Sequence, residues 1–144
     1  MATHRVRTVI ERDSLARTAP DDTVGTAVAT MAEHACGSVL VMAGDELVGI
    51  FTERDLLLRV AAAGLELDRT AVGEVMTRDP DTIGADEPVA EAIRRMDEFG
   101  YRYLPVLDGD KVIGVISTRH LPYRDVAAMA EELEQRHALA EHMR

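Results

Sequence analysis

The sequence predicts a mixed α/β (α+β) fold: two copies of one small unit, related by a pseudo-two-fold axis, each a small sheet flanked by helices, plus a C-terminal helix. Three observations predict it. Residues 20–56 superimpose without a gap on residues 85–121, with identities at Asp21/Asp86, Val24/Val89, Ala27/Ala92, Met31/Met96, Glu33/Glu98, Val41/Val106, Gly44/Gly109, Asp45/Asp110, Gly49/Gly114, Arg54/Arg119 and Leu56/Leu121. In each copy an apolar stripe at helical spacing is followed by two short apolar runs of strand length. Between those runs stands a Gly-Asp turn, the signature of a hairpin.

The elements follow in order. An extended lead-in over residues 6–19 precedes a helix whose core face is Val24, Ala27, Val28 and Met31. Asp21-Asp22-Thr23 supplies capping oxygens and negative charge at its N-terminus. Strands are expected over 39–42 and 47–51 around a turn at 43–46. From Thr52 onward Leu56, Leu57 and Val60 return at helical spacing until Gly64, a C-terminal stop. The second copy repeats this with a lead-in over 72–84, a helix facing the core through Val89, Ala92, Ile93 and Met96, and strands over 104–107 and 112–116. A hairpin between two helices leaves one sheet face uncovered, so neither copy is expected to be stable alone and the two should pack together. The chain therefore divides into residues 1–64, 65–121 and 122–144. The last segment carries Val126, Met129, Ala130, Leu133, Ala140 and Met143 as a helical stripe, either covering the module or making a dimer contact.

Composition narrows the function classes. With 47% hydrophobic and 29% charged residues the chain is globular rather than disordered. No run of apolar residues is long enough to span a bilayer. Met1-Ala2-Thr3-His4-Arg5 leads into the structured pattern without a signal-like apolar stretch, and the single cysteine, Cys36, forms no internal disulfide, so the expected location is cytoplasmic. A net charge of −10, spread along the chain, argues against nucleic-acid binding, which depends on neutralising phosphates. A small anion is still compatible with it, because a local cluster of arginines and backbone N–H groups outweighs a diffuse field.

The sharpest motif is Gly49-x-x-Thr52-x-x-Asp55. A strand ending at Phe51 and a helix starting at Thr52 would present free N–H groups and a positive dipole end, suited to a phosphate. Asp55, three residues on, would offer a carboxylate to two neighbouring sugar hydroxyls. On spacing alone the same pattern reads as a capping box, and the two roles are compatible at Thr52.

Val75-Met76-Thr77 with Pro80, Asp86-Glu87-Pro88-Val89, Tyr101-Arg102-Tyr103-Leu104-Pro105-Val106 and Gly114-Val115-Ile116-Ser117 resemble a cystathionine β-synthase (CBS) domain. The first copy matches through Pro20-Asp21-Asp22-Thr23-Val24, Gly44-Asp45 and the run from Gly49 through Thr52, Arg54 and Asp55 to Leu56. The resemblance implies a tandem pair, or Bateman module, that forms a homodimer, is not an enzyme, needs no cofactor and binds an adenine nucleotide (AMP, ADP, ATP or NAD(H)) to signal to an unknown effector protein. It implies that Asp55 holds the ribose and Thr52, with Arg54 beside it, meets phosphate. It nominates Thr82 and Ile83 beside the adenine, and Arg102, flanked by Tyr101 and Tyr103, for phosphate. Arg102 has an apolar sequence context, so its guanidinium needs an anion or a carboxylate.

The mirror cleft is degenerate. Ser117-Thr118-Arg119-His120 puts His120 where the first copy has Asp55, and Gly37 takes the place of Arg102. Pro122 delays the following helix. This cleft, bordered by Cys36, Ser117, Arg119 and His120, is expected to bind nucleotide weakly, bind something else or stay empty. His34, Cys36 and His120 are soft ligands, but their spacing matches no strong zinc pattern, and no metal is expected. The alternative reading is a stress-type CBS protein acting by protein contacts or metal, without a nucleotide.

Overall fold

The computed structural model describes residues 4–10 and 15–118. The expected C-terminal helix, with Arg119, His120 and Pro122, lies outside them. The chain runs through α1 (Val6–Val9), β1 (Arg17–Thr18), α2 (Val24–Glu33), β2 (Ser38–Ala43), β3 (Glu46–Thr52), α3 (Glu53–Asp55), a π-helical stretch (Leu56–Ala61), α4 (Val72–Val75), β4 (Thr77–Arg78), β5 (Ile83–Gly84), α5 (Val89–Phe99), β6 (Tyr103–Asp108) and β7 (Lys111–Ser117).

The strands form two sheets, β1-β2-β3-β4 and β5-β6-β7, in which the lead-in strand of each copy pairs parallel to its hairpin. Gly44 and Gly109 open the two hairpin loops with φ near 62° and 63°, the conformation a two-residue loop demands. Even the register irregularity repeats, at Val41/Met42 and at Val106/Leu107. One core gathers around Val24, Ala27, Val39, Val41 and Phe51, and a second around Ile83, Ala92, Leu104, Val106 and Ile116. A third cluster of Leu40, Ile50 and Val112, flanked by Met42, Leu107 and Val115, joins the copies.

The lead-ins are not simply extended, because each contains a four-residue helix that crosses to the other copy. Val6 of α1 is fully buried in the second core, and Val72 of α4 in the first. The same three main-chain bonds hold each. Val6 and Arg7 donate to the carbonyls of Glu87 and Ala85 at 2.9 and 2.8 Å, and Val89 donates to His4 at 2.8 Å. In the first copy Val72 and Gly73 donate to Asp22 and Pro20 at 2.8 and 3.0 Å, and Val24 donates to Thr70 at 2.9 Å.

Two local expectations change. Thr23, not the aspartates, caps α2, accepting from the Thr26 N–H at 3.1 Å, while Asp22 closes a turn through the Ala19 N–H and the Thr18 hydroxyl. After Asp55 the chain winds as a π-helix, with Ala62 N–H donating to the Leu57 carbonyl at 2.9 Å. That wider winding keeps Leu56 and Val60 on the core but turns Leu57 outward, 62% exposed, against its expected inward face.

Helix α2 ends in a Schellman motif, with Cys36 N–H donating to Met31 and Ala35 N–H to Ala32. Ala35 therefore adopts φ 48°, where the matching residue at the end of α5 is Gly100 at φ 75°. Gly100→Ala should cost about 1 kcal/mol in urea unfolding, from left-handed strain partly offset by a stiffer unfolded chain. Ala35→Gly, the reverse change at the equivalent position, should stabilise by about 1 kcal/mol or slightly less, since both terms change sign.

Candidate functional site

Thr52 ends β3 and caps α3, and the spacing-based capping box is formed. Its hydroxyl accepts from the Asp55 N–H at 3.2 Å, and Asp55 Oδ2 accepts from the Thr52 N–H at 3.0 Å and the Thr52 hydroxyl at 3.2 Å. Asp55 is buried, 8% exposed, so its charge needs compensation. The Thr77 hydroxyl lies 3.3 Å from Oδ1, and Arg59 Nε 3.5 Å from the same oxygen. Arg59 also donates to the Met76 carbonyl at 2.9 Å, tying the cap to the chain between the copies. Gly49, the first residue of the motif, is small because Met76 and the Thr77 carbonyl occupy the space of a Cβ. Gly114 yields in the same way to Ile10.

The second copy reaches this corner through Tyr103. Its hydroxyl donates to Glu53 Oε1 at 3.1 Å and stands directly over Gly37, where a Cβ would collide with it and come within 2.9 Å of the Glu53 carboxyl. Arg102 is exposed, not set in an apolar pocket, and like Arg54 makes no ion pair or hydrogen bond among the described residues. Water solvates both guanidinium groups, and both are available to an anion.

Thr52, Asp55 and Tyr103 thus meet around Glu53. The other nominated residues are tied into the second copy. Tyr101 donates to Asp81, a bond that raises its pKa, and packs against Phe99 with ring centroids 5.6 Å apart. The Ile83 side chain is buried in the second core, leaving only its main chain to a ligand. The Thr82 carbonyl accepts from Arg95 at 2.6 Å, and Arg95 is itself held by Glu91 at 3.0 Å.

On the mirror side Ser117 is buried opposite Tyr103 in the β6–β7 ladder, and Cys36 Sγ donates to the Ser38 carbonyl at 3.1 Å. His34 Nδ1 lies 2.9 Å from the Thr30 carbonyl. Among the described residues no His, Cys, Asp or Glu cluster is arranged to hold a metal ion. Nor is any helix among them long and apolar enough to cross a membrane. Sequence reasoning missed Glu53, Arg59 and Thr77. Arg59 alone had a local signal, its i,i+4 spacing from Asp55.

Two repeated units, swapped lead-ins and a capped acidic residue at the strand-to-helix junction define a tandem two-copy α/β module. The family model for the CBS domain matches residues 6–62 and 72–121, and the chain belongs to that family as a CBS pair. It is 37% identical over 123 residues to the CBS domain-containing protein CBSCBSPB1 of Arabidopsis thaliana, covering 83% of this chain and 22% of that protein. The chain spans about a fifth or less of the first curated relatives it matches. Among solved structures it resembles the CBS domain protein NE2398, with 31% identity, TM-score 0.77, and 83% and 94% of the two chains covered. It shares its fold with PAE2072 of Pyrobaculum aerophilum, solved in complex with AMP, at 23% identity and TM-score 0.78, covering 92% of this chain and 99% of that one.

Two measurements check this geometry. Gly37→Ala and Tyr103→Phe should each cost about 1 kcal/mol by losing the Tyr103–Glu53 bond, and the double variant should cost less than their sum. Hydrogen bonding to Arg94, and then to Arg95, holds the Glu91 carboxyl at about 2, below its usual 4.5. A depressed pKa stabilises the fold above the ordinary value and loses that contribution as pH falls. The Tm should therefore drop between pH 4.5 and 2, and drop less steeply in Glu91→Gln.

Proposed function

We propose that this CBS pair is a non-enzymatic regulatory module that binds one adenine nucleotide per chain in the Asp55 cleft. AMP, or a relative such as ADP, ATP or NAD(H), would be the ligand, and a homodimer in the cytoplasm would signal its presence to an effector protein in trans. The observation that carries this reading is the division of labour on the Asp55 carboxylate. Oδ2 serves the cap at 3.0 Å, whereas Oδ1 meets only the Thr77 hydroxyl at 3.3 Å, which is shared with Oδ2 at 3.4 Å, and the Arg59 ion pair at 3.5 Å. The second oxygen is therefore the atom a ribose diol would engage. Tyr103 brings the second copy to the same corner, and Arg54 and Arg102, exposed and without an ion pair among the described residues, are suited to phosphate. The AMP complex of PAE2072, a protein of the same fold, supports the ligand class.

Titration calorimetry with AMP tests the reading, and native mass spectrometry of the purified protein reports retained nucleotide, metal and oligomer together. Saturable binding at one AMP per chain is expected, and Asp55→Ala should weaken it by roughly 2–3 kcal/mol. The lost cap should cost about 1 kcal/mol of stability in either case, and if Asp55 only caps, affinity stays unchanged. No saturable binding at millimolar AMP would sink the proposal.

A further inference from the structure

The Asp55 carboxylate is already engaged by three hydrogen-bond donors and one ion pair in this structure. A carboxylate offers about four lone-pair positions. The Thr52 N–H and hydroxyl take two at Oδ2, the Thr77 hydroxyl bridges both oxygens at 3.3 and 3.4 Å, and the Arg59 guanidinium stands over Oδ1 as an ion pair. Two further donors from a diol reach Oδ1 only in competition with Thr77 and Arg59. The cap bonds, at 3.0 and 3.2 Å, lie within one short turn of chain, so moving them would undo the start of α3. Thr77 lies 22 residues away and Arg59 one turn on with a half-exposed side chain, so these two can yield without undoing the cap.

Both displaced donors lead to one place. Thr77 opens β4, in the segment that joins the copies. Arg59 spans the gap from the other side, its Nη1 donating to the carbonyls of Met76 at 2.9 Å and Val75 at 3.4 Å while its Nε faces Asp55. Residues 75–77 are thereby fastened to the Asp55 carboxylate by one hydroxyl and one guanidinium. The Arg59 side chain is 51% exposed, so it can swing into solvent without an unpaired buried charge being left on its own side.

We infer that Arg59 and Thr77 form a latch on Asp55 Oδ1, which ligand hydroxyls must open, so that the occupied cleft loosens the chain at residues 75–77. The two residues set the affinity of the site and report its occupancy to the joint between the copies. This rests on Asp55 being the ribose acceptor. Removing a latch donor should then tighten ligand binding while weakening the fold, a combination that a purely structural ion pair would not produce.

The test is AMP titration of the wild type, Arg59→Ala and Thr77→Val, with amide hydrogen exchange over residues 72–78. Arg59→Ala should bind AMP roughly two- to fivefold more tightly, matching the release of a half-exposed ion pair. Thr77→Val should shift affinity in the same direction and covers the case in which Arg59→Ala does not fold. AMP should speed exchange at 75–78 in the wild type, and Arg59→Ala should show that faster exchange without ligand. Equal or weaker AMP binding by both variants, or wild-type exchange that AMP leaves unchanged, overturns the latch while leaving the nucleotide site standing. No AMP binding by any of the three proteins overturns both.

Discussion

The structure depends on the clasp between each lead-in helix and the long helix of the opposite copy. Three main-chain hydrogen bonds form it, in the same pattern at Val6–Arg7 and at Val72–Gly73, and one fully buried valine seals each. Each such bond contributes about 0.5–1.5 kcal/mol net, and burying a valine about 1.5–3 kcal/mol, so each clasp outweighs any single surface contact. Neither core is complete without a segment donated from beside the other. The clasp also places the cleft, because the chain leaving α4 at Val75 passes at once into Met76 and Thr77, where Arg59 and Asp55 meet it.

On this symmetric frame the chemistry is unequal. Arg7 of the first lead-in holds Asp86 through two bonds and reaches Asp108, whereas its counterpart Gly73 lies against Pro20 with little room for a side chain. Tyr103 spans to Glu53, but the residue matching it is Ser38, buried and short. Gly37, matching Arg102, is what lets Tyr103 come so close. A repeat that duplicates a fold leaves such surface positions free to diverge, since the backbone clasp and the apolar faces alone maintain the pairing.

Features decided by local periodicity were legible in the sequence. The hairpins extend one residue beyond their expected ends, and Val24, Ala27, Val89 and Ala92 all face the cores as their spacing required. The lead-in helices were not legible. They are four residues long, lie 66 residues apart rather than 65, and bury valines whose partners are in the other copy. The π-helical winding was also hidden, because Leu57 looks like a core residue beside Leu56 and Val60 at ordinary helical pitch. At the site, Thr52 and Asp55 carried a three-residue signature for their cap. Thr77 did not, since 22 residues separate it from the carboxylate it touches.

The acidity of the chain bears on how the proposed ligand would be recognised. With a net charge of −10 the distant field repels a nucleotide and offers no long-range steering. Salt limits that repulsion to about 8 Å, and inside this distance the nearest charges decide. Arg54 and Arg102, next in sequence to Glu53 and to the Tyr103 that bonds it, and without carboxylate partners among the described residues, would there oppose the charge of Glu53. Attraction between such a cleft and a phosphate is a contact property, strong only once the ligand has entered and sheltered the pair from water. Selectivity for the sugar would then rest on the buried Asp55, where Thr77 and Arg59 already compete for the carboxylate, and not on the overall charge of the protein.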